Sequence, residues 1–243
     1  MSNLSGQHVV IIGASSGMGL ATAKAAAATQ AAVTLVGRDE AKLARAAAEV
    51  GGGANTRRLD ITDEAAVIAF FEAIEPMDHL MITAHASSVV TGAITSLTQM
   101  DVSAARAFME TKFWGPFMAA KYGQHKLRPS GSIVFLSGSA GVRKLLPDHT
   151  AIGATNGAVE AFARQLAKEI APKRVNVIAA GLVRTPTYDG LSAEARDGMY
   201  AGYAKNALVG RVGLPEDIAQ AAIYLMCSPY VTGQIHEIDG GRP

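Results

Sequence analysis

Short β-branched runs alternate with longer, alanine-rich amphipathic segments almost from one end of this chain to the other, and few architectures accommodate that rhythm. Runs over 8–12, 32–36, near 56–59, 79–83, 132–136, 175–179 and 234–238 read as strands. Segments over 18–29, 40–50, from Asp63, from about 98–127, 150–170 and 216–226 read as helices. Nearly continuous apolar strands separated by helices predict a parallel sheet covered on both faces, a doubly wound α/β fold. No Pro/Gly/Ser-rich linker breaks the pattern, and Gly51-Gly52-Gly53 reads as a helix end and turn, so a single domain over 1–243 is expected. The long segment 182–214 shows no strand or helix rhythm. It follows a strand's carboxyl end, where open sheets bind ligands, and is expected to be a substrate lid.

Charge and cysteine content remove several function classes. Lys plus Arg number 22 and Asp plus Glu 21, a net charge of +1 with no block of one sign, which argues against a nucleic-acid or membrane-surface partner. Trp114 has no basic patch beside it and reads as packing, as do Met81, Met109, Met118 and Met226. Cys227 is the only cysteine, so an intrachain disulfide and a cysteine-based zinc site are ruled out, and no His, Cys or carboxylate spacing suggests a metal. The polar segment 1–7 and brief apolar run 9–12 read as neither signal peptide nor membrane span. The expectation is a soluble, cytoplasmic protein acting on a small molecule.

The segment Gly13-Ala14-Ser15-Ser16-Gly17-Met18-Gly19 closes the first strand and opens the first helix. In that context Gly13 permits a tight turn, Gly17 lets the backbone approach a phosphate, and Gly19 allows helix and strand to pack closely. Gly13, Ser15, Ser16, Gly17, Met18 and Gly19 are therefore expected to hold the pyrophosphate of a nicotinamide cofactor at the helix N-terminus. An acid at the tip of the second strand would favour NAD(H). Gly37 stands there instead, and Arg38 beside it suits a 2′-phosphate, so NADP(H) is preferred over NAD(H). Asp60, after the third strand, suits the adenine amino group or, standing before Thr62-Asp63, a helix-cap element.

These residues, with Asp60-Ile61, the segment 210–219, Val231-Thr232-Gly233-Gln234 and Asp239-Gly240-Gly241, make the chain resemble the short-chain dehydrogenase/reductase family from His8 to Gly241. The resemblance implies a Rossmann-type fold and a homo-tetramer or homo-dimer. It implies cofactor contacts from Ile61, from Ala84 within Thr83-Ala84-His85, and from Val183 and Thr185 beside the nicotinamide carboxamide.

The family draws its proton from a Tyr-x-x-x-Lys pair on one helix face, the cation lowering the phenol's pKa. Alignment through Gly157-Ala158-Val159-Glu160 puts Ile152 at the tyrosine and Asn156 at the lysine. Isoleucine has no proton to give, and asparagine has no charge. Lys112 stands where the family usually has asparagine, so Lys112 and Asn156 read as an exchange of partners; the alternative is a lysine on an exposed helix face. The family's serine falls on Ser139 when counted back from Ile152, with Ser137 second and Gly138 the result of counting from the strand. His149, one turn before Ile152, is a candidate acid, and His85, Tyr188, Tyr200 and Tyr203 are further ones. The expected activity is NADP(H)-dependent interconversion of a carbonyl and an alcohol. A silent cofactor-binding sensor or regulatory subunit, and a non-redox lyase or isomerase, are the rivals.

Overall fold

The computed structural model describes residues 3–84 and 92–243. Among them, seven strands form one sheet: β1 (His8–Ile12), β2 (Ala32–Gly37), β3 (Asn55–Arg58), β4 (Met77–Ile82), β5 (Leu127–Gly138), β6 (Arg174–Ala180) and β7 (Ile235–Ile238). The order is β3-β2-β1-β4-β5-β6-β7 and every pairing is parallel. The helices are α1 (Gly17–Ala28), α2 (Glu40–Val50), α3 (Glu64–Ala73), α4 (Val102–Met109), α5 (Gly115–Gly123), α6 (Thr150–Glu169), α7 (Ala193–Asn206) and α8 (Pro215–Cys227).

Strand side chains alternate between faces, and here both alternants are apolar. Val10, Ile12, Leu80, Ile82, Ile133 and Phe135 join one core with α3, α5 and α6. Val9, Ile11, Met81, Val134 and Leu136 join a second core with α1, α2 and α8. The helices begin where side chains satisfy first-turn amides: Asp39 Oδ1 accepts from the Lys42 N–H at 2.9 Å, and Asp63 Oδ1 from the Ala66 N–H at 3.1 Å. At the other end of α8, the Arg174 guanidinium donates to the Leu225 and Met226 carbonyls at 2.6 Å each, filling acceptors a helix terminus leaves open. No described helix is long and apolar enough to cross a membrane.

Three stretches differ from expectation. The helical run expected over about 98–127 is broken by a π-turn at Glu110–Trp114 and ends in a 3-10 turn at Gln124–Lys126. Leu127 already belongs to β5: it pairs with Met77, and the register slips before His79 pairs with Ser132, with Pro129 and Gly131 disguising the continuity. The segment 182–214 is not without rhythm, for it contains α7, started by Ser192 Oγ accepting from the Ala195 N–H. Only Tyr200 and Tyr203 of that helix are buried, too thin an apolar stripe to register as a periodicity. Met81, Met118 and Met226 are core residues as expected, whereas Met109 is only half-buried.

His79 on β4 is buried, with Nε2 on Gln7 Oε1 at 2.7 Å and Nδ1 on the Ser132 hydroxyl at 2.8 Å. Burial, then the nearby Arg174 cation, lower its pKa from 6.5 to about 4. The unfolded chain therefore takes up a proton that the folded one refuses, and stability is lost as pH falls from 6.5 towards about 4. The loss amounts to roughly 3 kcal/mol at the acid limit. Urea unfolding across this pH range is expected to show that decline, and His79→Gln to flatten it.

Candidate active site

All seven strand ends of the parallel sheet lie on one edge, and the order reverses between β1 and β4. A cleft of about 960 Å³ opens there. Gly13 takes φ +93°, and a Cβ on it would lie 2.6 Å from Thr83 Oγ1; a Cβ on Gly19 would collide with the Gly13 carbonyl. Thr83 braces this turn, its hydroxyl 3.1 Å from both the Ile12 and Gly13 carbonyls. Ser16, at the N-cap of α1, makes no side-chain capping bond, and the first turn carries no acid. The first amides of α1 are thus left without side-chain acceptors beside Ser15, Gly17 and Met18, a cradle that fits an anion. Val183 and Thr185 face it from the loop after β6, Thr185 within 3.3 Å of where a Gly17 Cβ would stand.

Beyond β2, Arg38 is exposed and lines the cleft with Lys42. The neighbouring acid, Asp39, has its carboxylate engaged in capping α2. Asp60 Oδ1 accepts from the Thr62 N–H at 3.0 Å and the Thr62 hydroxyl at 2.8 Å. Partial burial alone would raise the Asp60 pKa, but those bonds and the charges of Arg38 and Arg58 hold it below the ordinary value. Ile61 and Ala84 complete this side of the cleft.

The other end is organised by the π-turn. Its extra residue rotates Lys112 inward, so that the side chain is 8% exposed and lines the cleft rather than the protein surface. The ammonium has no hydrogen-bond or ion-pair partner among the described residues, and burial lowers its pKa from 10.5 to about 8. Nearby, Ile152 packs with Ala93 and Phe108 in a small apolar cluster. Asn156, one turn along α6, is buried and donates from Nδ2 to the Ala140 carbonyl at 3.1 Å.

The two candidate serines part ways. Ser137 donates to Glu160 Oε1 at 2.7 Å, and Arg143 clamps both oxygens of that buried carboxylate at 2.7 Å each. Ser137 is thereby committed to a brace between β5, α6 and the following loop. Ser139 is held through its backbone, its N–H on the Ala180 carbonyl at 2.9 Å, and its hydroxyl bonds no described residue. His149, at the N-cap of α6, is half-buried, its Nδ1 2.6 Å from the Pro147 carbonyl.

Ser139, Lys112, His149, Asn156 and all twelve expected cofactor-contacting positions line this one cleft. His85 lies outside the described residues. Tyr200 packs on Tyr188 and Arg184 and does not line the cleft, and the Tyr203 hydroxyl donates a hydrogen bond to the Asp239 carbonyl at 2.7 Å. Burial, then Tyr200 and Tyr203, push Tyr188 up to about 12, away from an acid's range. Sequence reasoning missed Lys42, Lys144, Arg242 and the Arg143–Glu160 pair. Glu160 was the detectable one, a lone acid on the apolar stripe of α6 between Val159 and Ala163.

Residues 13–242 match the family model described as Enoyl-(Acyl carrier protein) reductase. The short-chain dehydrogenase/reductase ATR9 of Stachybotrys chlorohalonatus is 31% identical over 99% of this chain and 98% of that protein. The chain belongs to the short-chain dehydrogenase/reductase family. A second member, the inactive 2-(S)-hydroxypropyl-CoM dehydrogenase 2 of Xanthobacter autotrophicus, is 33% identical over 90% of this chain and 98% of that one. A crystal structure of a small-chain dehydrogenase in complex with NADPH superposes with a TM-score of 0.83, 34% identity and 97% coverage of both chains. The family is one of oxidoreductases, and the parallel sheet with its helices on both faces is the fold it shares with this chain.

Two stability measurements test this geometry. Glu160→Ala leaves the part-buried Arg143 guanidinium and the Ser137 hydroxyl unpaired and is expected to cost roughly 1–3 kcal/mol in chemical denaturation. Lys112→Met is expected to act the other way. The folded protein carries a charge that burial penalises by about 3 kcal/mol, in full below pH 8 and fading as pH rises from about 8 to 10.5. The methionine variant should therefore melt higher at pH 7, by roughly 2–4 °C per kcal/mol regained, and the gain should vanish near pH 10.5.

Proposed function

We propose that this chain is an NADP(H)-dependent oxidoreductase that interconverts a carbonyl and an alcohol on a small-molecule substrate. In this reading the family's Tyr-x-x-x-Lys dyad is absent, Ile152 and Asn156 standing in its places, and Lys112 supplies the proton. The observation that carries the reading is a buried ammonium, without a partner among the described residues, opening into the same cleft as a glycine-lined helix N-terminus that no side chain caps.

The residues of the cleft fit the cofactor. Amides from 15–19 would hold the pyrophosphate, Arg38 and Lys42 the 2′-phosphate, Asp60, Ile61 and Ala84 the adenosine side, and Val183 and Thr185 the carboxamide. NADPH, when bound, supplies the hydride. Asp39 does not compete for a ribose hydroxyl, because its carboxylate is spent on α2, which favours NADP(H) over NAD(H).

At the reacting end, the Ser139 hydroxyl and the Lys112 ammonium would both donate to the substrate's carbonyl oxygen. As negative charge grows on that oxygen, an unpaired cation in a site of low dielectric stabilises it strongly. Lys112 then gives up one proton and is left as a neutral amine, a change that burial already favours. Asn156, fixed on the Ala140 carbonyl, holds the Ser139 loop against α6. His149 sits at the rim with Nδ1 committed to Pro147, so its Nε2 would return a proton from solvent to the amine.

A second reading, a silent NADP(H)-binding sensor or regulatory subunit, draws on Ile152 and on the relative whose name declares it inactive. Steady-state oxidation of NADPH and NADH over a carbonyl panel decides between them. Turnover with NADPH preferred is expected, and tight NADPH binding without turnover would favour the sensor. Arg38→Ala is expected to reduce the NADPH preference by about 10-fold or more. The reduction rate should fall above pH about 8, where the acid form of Lys112 is lost. Lys112→Met should remove that inflection and lower kcat by roughly 10²- to 10⁴-fold.

A further inference from the structure

The lid end of the cleft carries an imbalance of charge. Lys112, Lys144, His149 and Arg242 line it, against Asp189 alone among the acids at that end. Asp189 pairs with Arg196 at 3.4 Å, outside the cleft lining, and Lys144 sits 3.4 Å from Glu237 and 3.6 Å from Asp239. Two side-chain cations are then left without a carboxylate among the described residues, Lys112 and Arg242.

Arg242 is held by a built platform. Its guanidinium lies over the Tyr203 ring, 5.0 Å from the centroid. That ring is itself buried, and its hydroxyl is tied to the Asp239 carbonyl. A Cβ on Gly181 would collide with the Tyr203 hydroxyl, so β6, α7 and the C-terminal tail meet there with no slack. The Gly241 N–H donates to Asp239 Oδ1 at 2.9 Å and closes the turn that brings Arg242 to the cleft. A guanidinium stacked on an aromatic face keeps its in-plane N–H groups free, the geometry that grips a carboxylate with two parallel bonds.

We propose that the substrate is an oxo acid, its carboxylate bound by Arg242 at the lid end while its carbonyl oxygen faces Lys112. This rests on the oxidoreductase reading for the carbonyl; the carboxylate site rests on Arg242 and its platform. The tail and the lid thereby set the substrate's charge, and a neutral ketone of the same size leaves the Arg242 guanidinium without a partner.

The test is calorimetric titration of the protein saturated with NADP⁺, a state in which an oxo compound cannot be reduced. Acetoacetate is compared with its neutral methyl ester. Acetoacetate is expected to bind about 10- to 100-fold more tightly than the ester. Arg242→Gln should collapse that ratio towards one, and Arg242→Lys should keep part of it, because the charge survives without the planar fork. Lys205→Gln, exposed on the lid helix α7 and outside the cleft lining, should keep the full ratio. Equal affinities in the wild type, or a ratio that survives Arg242→Gln, overturns the proposal. Because the ratio is read without turnover, a protein silent towards every carbonyl still reveals whether Arg242 holds a carboxylate, whereas the NADPH assay alone judges the oxidoreductase reading.

Discussion

A wholly parallel sheet obliges each strand to be followed by a crossover on one face or the other, and it gathers the carboxyl ends of all seven strands on one edge. The described residues depend on that constraint. It explains why the strands are apolar on both faces, with Val10 and Ile12 serving one core and Val9 and Ile11 the other. It also explains why the loops after β1, β4, β5 and β6, distant in sequence, converge on one cleft. The glycines at 13 and 19 are a consequence: the first turn must pass so close to Thr83 and to its own backbone that no side chain fits.

Within that frame the site is dominated by one unfavourable interaction. Burying an ammonium without a partner costs free energy, and Lys112, buried within the π-turn at Glu110–Trp114, has no partner among the described residues. Such strain persists only where its surroundings enforce it. Here α4 and α5 flank the turn, and the Arg143–Glu160–Ser137 brace fixes the opposite wall. The same desolvation that destabilises the fold makes the ammonium a stronger acid. In the proposed reading, Ile152 stands at the position aligned with the family's tyrosine, and Lys112, on the π-turn packed against α6, serves in its place.

Much of this was legible in the sequence. The period-2 and helical runs marked the sheet and the helices around it, and the loop from Gly13 to Gly19 marked the cradle. Periodicity does not report a π-turn, because one inserted residue leaves the apolar stripe almost unchanged; along the sequence Lys112 fits an exposed face equally well. The choice between Ser137 and Ser139 was likewise closed to counting along the chain, since it depends on which hydroxyl the buried Glu160 captures. Arg242 gave no signal at all. It matters through the fold of the tail over Tyr203, a contact between positions 39 residues apart in sequence.

The proposed chemistry depends on Lys112 titrating near 8 inside the cleft. Carbon-13 NMR of the protein labelled at lysine Cε, with the Lys112 signal assigned by comparison with Lys112→Met, reads this directly. The account predicts a Lys112 titration midpoint near 8. A midpoint near 10.5, the ordinary value for a solvated lysine, would contradict it and remove Lys112 as the acid of the site.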